Sequence, residues 1–210
     1  MAVGRTPEPS KRFHSIKLPI SEVDREWYRS HATRHGPIYF GRNRAYRFDA
    51  PDGEYGVLYA GADPHVAFIE SFQIAGIRPI VTESTLRQRS LSLVRVGRPV
   101  RLVNLAGSGG LTRIGADARV FTAGYGISQR WSLAIQGHPE MPDGILYRPR
   151  HDPARMAAAL FDRIADRVTA ETLGTWLDQK ATLAEVLDTY GIALLSQVPD
   201  RMKVFFRQRQ

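Results

Sequence analysis

The chain has 210 residues, of which 43% are hydrophobic, so it can bury a substantial core and is not expected to be globally disordered. It carries a formal net charge of +8 and contains no cysteine. The missing cysteines exclude a disulfide scaffold, thiolate catalysis and a cysteine-ligated zinc site. The positive charge favours an anionic partner, which could be a nucleotide, a nucleic acid or an acidic protein.

We expect residues 1–12 to form a flexible basic tail and residues 13–210 to form one domain, because no linker interrupts the chain. The tail has no apolar run that could act as a signal peptide, and no segment approaches membrane-spanning length. The expected location is therefore the cytoplasm, without membrane contact. Export by a machinery that reads no cleavable signal is compatible with the same sequence, as is a homo-oligomer.

The first predicted element is a helix that begins near Pro19 and Ser21 and ends in the 31–36 region. Aromatic and β-branched residues then predict two short strands, around 46–48 and around 57–59. A proline–aspartate–glycine turn at 51–53 separates them.

A second helix is predicted from Pro64 to about Ala75. Asp63 can accept a hydrogen bond from the first free amides of this helix, and proline suits its first position. The helix is apolar nearly all round, so we expect it to be largely buried.

The remaining elements follow without a regular strand–helix–strand alternation, which predicts an α+β fold with a largely antiparallel, twisted sheet. The predicted strands lie at 79–84, 91–96, 99–105, 144–147, 156–161 and 192–197, and the predicted helices at 128–136 and 181–190.

Glu70 is the most informative single residue, because it is an acid on the apolar helix that begins at Pro64. A buried carboxylate is costly unless it is paired or lines a cavity. Two interpretations are therefore open, a functional acid and a structural ion pair with an arginine. Considered alone, Arg47 is interpreted as a surface strand residue that could pair with Asp49, and Tyr59 as a core residue with a satisfied hydroxyl.

The other motifs in the sequence give little support for a metal, phosphate-loop or nucleic-acid-binding function. His31 and His35 have helical spacing but lack a third ligand, so no metal site is expected. The glycine-rich segment 107–110 lacks the spacing and the lysine of a phosphate-binding loop. No recognised nucleic-acid-binding motif is present, so nucleic acid is not the expected direct partner.

Taken in order, the segments resemble the RES-domain family, which is named for an arginine, a glutamate and a serine. The resemblance spans roughly residues 28–197 and rests on segments in the order expected for that family. The matching segments are 47–49 (RFD), 55–60 (YGVLYA), 67–70 (AFIE), 125–131 with 134–135, 143–148 (DGILYR), 150–152 (RHD), 159–161 (ALF) and 190–194 (YGIAL).

This resemblance implies an ADP-ribosyltransferase-like fold, with a split, mostly antiparallel sheet, flanking helices and a cleft for NAD. It also implies a toxin that cleaves the nicotinamide–ribose bond of NAD by phosphorolysis, with inorganic phosphate, or by hydrolysis. A helix-turn-helix antitoxin protein is the implied partner. Arg47, Tyr59 and Glu70 match the family's catalytic positions, and Arg29 matches an arginine that, with Arg47 and Tyr59, would bind NAD.

The chain departs from the family pattern at Pro149, which stands where the frame Tyr-Arg-Ser-Arg-His-Asp has its serine. Proline has neither a hydroxyl nor a backbone N–H. Arg150 or His151 could replace the lost donors. A degenerate domain that binds NAD or ADP-ribose without turnover is therefore an alternative, and a basic protein- or nucleic-acid-binding module is another.

Overall fold

The computed structural model of the chain describes residues 8–74, 79–122 and 124–196. Its strands are β1 (Ile20–Val23), β2 (Trp27–Ala32), β3 (Val57–Gly61), β4 (Ile80–Thr82), β5 (Arg89–Val96), β6 (Val100–Asn104), β7 (Gly144–Tyr147), β8 (Ala157–Phe161), β9 (Val168–Thr175) and β10 (Ala193–Leu195). Its helices are α1 (Pro64–Phe72), α2 (Glu83–Arg87), α3 (Gly110–Arg113), α4 (Arg119–Thr122), α5 (Tyr125–Gln136) and α6 (Lys180–Tyr190). None of the helices in these ranges has the length and apolar character needed to cross a membrane.

The described strands form one large sheet in the order β1-β6-β7-β8-β3-β2-β5-β9 and a separate parallel pair, β4 and β10. Within the large sheet, β6 and β7 are parallel and every other neighbouring pair is antiparallel. The predicted α+β fold with a mostly antiparallel sheet and flanking helices is confirmed.

The large sheet is split between β2 and β3. These two strands share one paired position, Tyr28 opposite Gly61, whereas β2 pairs with β5 from Trp27 to Ala32. At Gly61 a Cβ atom would lie only 2.7 Å from the Cβ of Val66, so glycine allows α1 to approach the junction closely. Beyond the junction the strands diverge and a cleft opens between them.

Helix α1 confirms the predicted start at Pro64. The Asp63 carboxylate accepts a hydrogen bond of 3.0 Å from the backbone N–H of Val66, which caps the helix. Phe68 and Ile69 are buried in a core that α6 and Trp176 complete. The predicted end at Ala75 lies outside the described residues.

The predicted helix from Ser21 to the 31–36 region is wrong, because this segment forms β1 and β2. Ser21 does not cap a helix, and its hydroxyl instead accepts a 3.0 Å hydrogen bond from Asn104 on the neighbouring strand β6. Trp27 and His31 are both buried at a spacing of four residues, which imitates a helical pattern although the residues belong to one strand.

The predicted strand around Tyr46 and Phe48 is also wrong, because this segment forms a turn. The Asp49 carboxylate accepts the Tyr46 N–H at 2.9 Å, a local bond that competes with strand formation. The other predicted segments correspond to strands or helices within a few residues, although Gln197, the predicted end of the last strand, lies outside the described residues. The sequence prediction lacks α2, α3, α4 and the threonine-rich edge strand β9.

Candidate active site

A cleft of about 680 Å³ lies at the opening between β2 and β3. Its volume falls in the range of ligand pockets, roughly 300–1,000 Å³. Arg29, Arg47, Tyr59 and Glu70, the residues proposed from the sequence, all line this one cleft. The fold therefore brings together residues that lie on β2, on the 44–50 loop, on β3 and on α1.

The cleft has a strongly positive lining. Among the described residues that line it are four arginines, and Glu70 is the one acid. None of these arginines forms an ion pair with a described carboxylate. An anionic ligand would meet charges that the described part of the protein does not neutralise. The four are Arg29, Arg47, Arg89 and Arg150.

Arg29 projects from β2 into the split of the sheet. Its Nη1 donates to the backbone oxygen of Tyr59 at 3.2 Å, across the gap where the strands no longer pair. Its Nε is buried and has no hydrogen-bond partner among the described residues. Burial lowers the pKa of Arg29 to about 10. A buried donor without a partner is unfavourable, so this guanidinium is suited to bind an anion.

Arg47 lies in the 44–50 loop, and its side chain is held loosely. Its Nη1 is 3.4 Å from the backbone oxygen of Val120 and 3.4 Å from the hydroxyl of Ser128, which are long contacts. The guanidinium carbon lies 5.1 Å from the centre of the Tyr125 ring. Burial lowers the pKa of Arg47. The pair with Asp49 that the sequence allows is not formed.

Tyr59 presents its ring to the cleft, but its hydroxyl is used inside the protein. The hydroxyl donates to Asp49 Oδ1 at 2.9 Å and accepts the backbone N–H of Phe48 at 2.9 Å. Burial raises the pKa of Tyr59 well above its ordinary value, so the hydroxyl stays protonated. A contact with a ligand is therefore left to the ring.

Glu70 is partly buried on α1, and its Oε1 accepts a 3.1 Å hydrogen bond from the backbone N–H of His151. It forms no ion pair with any arginine in the described part of the chain. The structural ion pair considered for this residue is thus not observed there. This bond fixes one oxygen of a carboxylate that lines the cleft.

Tyr147, the last residue of β7, is a cleft residue that the sequence reasoning did not single out. Its ring centre lies 4.9 Å from that of Phe48. Burial raises its pKa, and the nearby negative charge of Glu70 acts in the same direction. The sequence signal that could have identified Tyr147 is its position at the end of an otherwise apolar strand, where the chain enters a loop and site residues are common.

Pro149 is buried and does not line the cleft, whereas its neighbours Arg150 and His151 do. The backbone donor that reaches Glu70 comes from His151. Although proline replaces the serine of the family pattern, this loop still donates a backbone hydrogen bond to Glu70.

His31 is packed against the strand beside it, with Nε2 2.8 Å from the Ser92 hydroxyl. Across the described ranges, no group of three or more His, Asp or Glu side chains is arranged to hold a metal ion. The side chains that line the cleft carry guanidinium, carboxylate, imidazole, hydroxyl and aromatic groups.

Comparison with known proteins gives a consistent set of similarities. The model of the RES domain family matches residues 21–182. A probable toxin, y4kH, of Sinorhizobium fredii (strain NBRC 101917 / NGR234) is 32% identical over 111 residues, which are 52% of this chain and 86% of that protein. A chain in the crystal structure of the M. tuberculosis MbcT–MbcA toxin–antitoxin complex matches with a TM-score of 0.58. That match covers 79% of this chain and 92% of the other at 13% identity, which shows a likeness of fold alone.

Proposed function

The chain belongs to the RES-domain family, and on that premise we propose that it is a toxin that degrades NAD. The bond broken is the one between nicotinamide and ribose, by phosphorolysis or hydrolysis. The observation that carries this proposal is the composition of the cleft, in which Glu70 is the one acid among arginines without described ion pairs. A dinucleotide with an anionic diphosphate and a cationic nicotinamide ring fits that charge pattern.

Glu70 would act on the sugar. As the bond to nicotinamide breaks, its electron pair goes to the ring nitrogen and positive charge grows on the ribose. A carboxylate beside that sugar stabilises the developing cation and can accept hydrogen bonds from its hydroxyls. The bond from the His151 N–H holds the carboxylate in place, which favours one orientation before substrate arrives.

Arg29 and Arg47 would bind the diphosphate. Arg29 supports this role through its buried Nε, which has no hydrogen-bond partner in the described part of the chain, and Arg47 through long contacts that an anion could replace. Charge-assisted bonds to phosphate are about twice as strong as neutral ones. We assign Tyr59 a packing role through its ring, since its hydroxyl is bound on both sides by the protein.

The acceptor completes the reaction. Water would form a new C–O bond at the ribosyl carbon, lose a proton to solvent and give ADP-ribose. Inorganic phosphate would form the same bond through one of its oxygens and give phosphorylated ADP-ribose. Both routes release nicotinamide, so nicotinamide is the product to measure.

The test is to incubate the purified protein with NAD, with and without inorganic phosphate, and to follow nicotinamide release. We expect release in at least one condition, and a dependence on phosphate identifies the acceptor. Circular dichroism confirms that the sample is folded. A folded protein that releases no nicotinamide in either condition contradicts the enzymatic proposal.

The second candidate is a domain that binds NAD or ADP-ribose without turnover, and the observation that favours it is Pro149 in place of the family's serine. Ligand binding to the native state raises the melting temperature. Thermal stabilisation by NAD without nicotinamide release would select this candidate over the enzyme.

We further propose that an antitoxin protein covers the cleft in the cytoplasm. The support is a rim of exposed apolar side chains, each at least 41% exposed, around a cleft whose arginines have no ion pair within the described ranges. Exposed apolar groups clustered beside a charged site are typical of a protein interface. Co-expression with the protein encoded by the neighbouring gene, followed by co-purification, tests it. The rim residues are Ile38, Tyr39, Tyr46 and Tyr125.

A further inference from the structure

The 44–50 loop, which carries Arg47, has an unusual set of hydrogen-bond partners. It belongs to no strand or helix, and buried side chains from other elements satisfy several of its backbone groups. Irregular backbone is stable in the interior only when such groups find partners. We call these residues, 44–50, the Arg47 loop.

Strand β3 supplies the first set of these bonds through Tyr59. Its hydroxyl accepts the N–H of Phe48 and donates to Asp49 Oδ1, each at 2.9 Å. Asp49 is only 1% exposed, and its other carboxylate oxygen accepts the N–H of Tyr46 at 2.9 Å. Tyr59 and Asp49 therefore hold the loop on both sides of Arg47.

Helix α5 supplies the second set. Gln129 Nε2 donates to the backbone oxygens of Arg44 and Tyr46, at 3.1 Å and 3.0 Å. The Ser132 hydroxyl donates to the backbone oxygen of Phe48 at 2.7 Å. Gln129 is 8% exposed and Ser132 is fully buried, so water competes little for these bonds.

We propose that Asp49, Tyr59 and Gln129 are positioning residues that hold the Arg47 loop in one conformation and so present the Arg47 guanidinium to an anionic ligand. Ordering a free residue costs backbone entropy, so a loop that is ordered before binding spares the ligand that cost. The proposal deepens the proposed function and rests on it for the identity of the ligand. None of the three side chains needs to touch that ligand through its polar group.

A matched pair of tyrosines tests the proposal. Tyr59→Phe keeps the ring in the cleft and removes only the hydroxyl that holds the loop. Tyr55→Phe removes a buried hydroxyl, which donates to Ser132 at 2.7 Å, but leaves the bond from Ser132 to Phe48 intact. The ligand is ADP-ribose, which lacks the bond to be cleaved, and affinity is measured by calorimetry.

We expect Tyr59→Phe to weaken ADP-ribose binding about 10-fold and Tyr55→Phe to change it less than about 3-fold. In an Arg47→Ala background, Tyr59→Phe should add less than about 2-fold, because a positioning residue acts through the residue that it positions. An equal loss in both backgrounds means that Tyr59 acts on the ligand independently of Arg47, and overturns the proposal.

Hydrogen exchange of the ligand-free protein provides a second measurement. The amides of residues 44–50 should exchange faster in Tyr59→Phe than in the wild type or in Tyr55→Phe. Unchanged exchange overturns the proposal. If the wild type neither binds ADP-ribose nor releases nicotinamide from NAD, the proposed function fails, and the exchange result still decides whether the loop is held by Tyr59. Should Tyr59→Phe not fold, Gln129→Met removes two donors to the same loop, and the same outcomes apply.

Discussion

Arg98 and Arg47 occupy opposite electrostatic environments in the same protein. Both Nη atoms of Arg98 lie 2.8 Å from oxygens of Asp143, whose side chain is 4% exposed, and these bonds raise the pKa of Arg98. Arg47 has no described carboxylate partner, and burial lowers its pKa. Arg98, in the turn before β6, is bonded to Asp143, the residue that precedes β7, whereas Arg47 keeps its charge available.

The difference shows two roles of arginine in this protein, a structural ion pair and a charge that is available to a ligand. A charge removed from water without a counter-ion destabilises the native state, while a paired charge can support it. The described structure leaves Arg29 and Arg47 unpaired beside a single acid, so an anion bound there would relieve a penalty already present. Substitutions in the cleft should therefore change ligand binding and turnover, and those at the structural pair should change folding.

The largest expected effect is that of Glu70→Gln. This change keeps the side-chain shape and the acceptor for the His151 N–H, and it removes the charge that would stabilise the ribosyl cation. We expect kcat for nicotinamide release to fall by roughly 10²–10³, with little change in melting temperature. Glu83→Gln, on the surface of α2, is the matched control and should stay within about 2-fold. Wild-type-like turnover in Glu70→Gln would refute the role of this acid.

Next in size is the contrast between Arg47→Ala and Arg98→Ala. Arg47→Ala should weaken ADP-ribose binding by roughly 10- to 100-fold, the effect of about 1.5–3 kcal/mol for a charge-assisted bond. Its free energy of unfolding should change by less than about 1 kcal/mol, because the lost contacts are long. Calorimetry and urea denaturation measure the two quantities.

Arg98→Ala is the control with the opposite pattern. It leaves the Asp143 carboxylate buried, with the backbone N–H of Arg101 as a remaining donor at 2.8 Å. We expect about 2 kcal/mol of destabilisation, below the usual value for a fully buried pair because Arg98 is partly exposed. Similar unfolding free energies for both variants, or weaker ligand binding in Arg98→Ala alone, would contradict the comparison.

The sequence predicts those parts of the fold and site that depend on local chemistry. The capping of α1 by Asp63 is confirmed, and it could be predicted because donor and acceptor lie three residues apart. The same cap fixes where the helix begins, and this places Glu70 on the helix. The helix predicted over β2 is wrong. Trp27 and His31 have a spacing that also suits a helix, but the segment forms a strand because it pairs with β5.

The Arg47 loop could not be predicted because its partners are distant in sequence. Gln129 and Ser132 lie more than eighty residues from the backbone groups that they bind. The same holds for the bond between Glu70 and the N–H of His151, which spans 81 residues. Sequence patterns identify candidate side chains, but the contacts that orient them arise only when the sheet and α5 come together.

A smaller effect concerns pH and His31, which lines the cleft. Burial lowers its pKa below the ordinary 6.5, and the nearby positive charges of Arg29 and Arg89 act in the same direction. The unfolded chain therefore takes up the proton first, and stability is lost as pH falls below about 6.5. One proton limits this slope to about 1.4 kcal/mol per pH unit.

Urea denaturation at pH 7.5 and pH 5.5 measures this loss. It should be smaller in His31→Gln than in the wild type, because the variant has no ionisable group at this position. Equal losses in the two proteins would show that His31 does not contribute to the acid sensitivity.

The smallest expected effect is that of Pro149→Ser, which restores the residue type of the family pattern. Pro149 does not line the cleft, and the donor to Glu70 already comes from His151. Nicotinamide release should therefore stay within about 3-fold, while loss of the proline's restriction of the unfolded chain should lower stability by about 0.4–1 kcal/mol. An increase in turnover of 10-fold or more would show that position 149 limits the reaction. The arginines and the single acid that the described residues place in the cleft would then be insufficient for full activity, and the loop after β7 would be the part of the site that limits it.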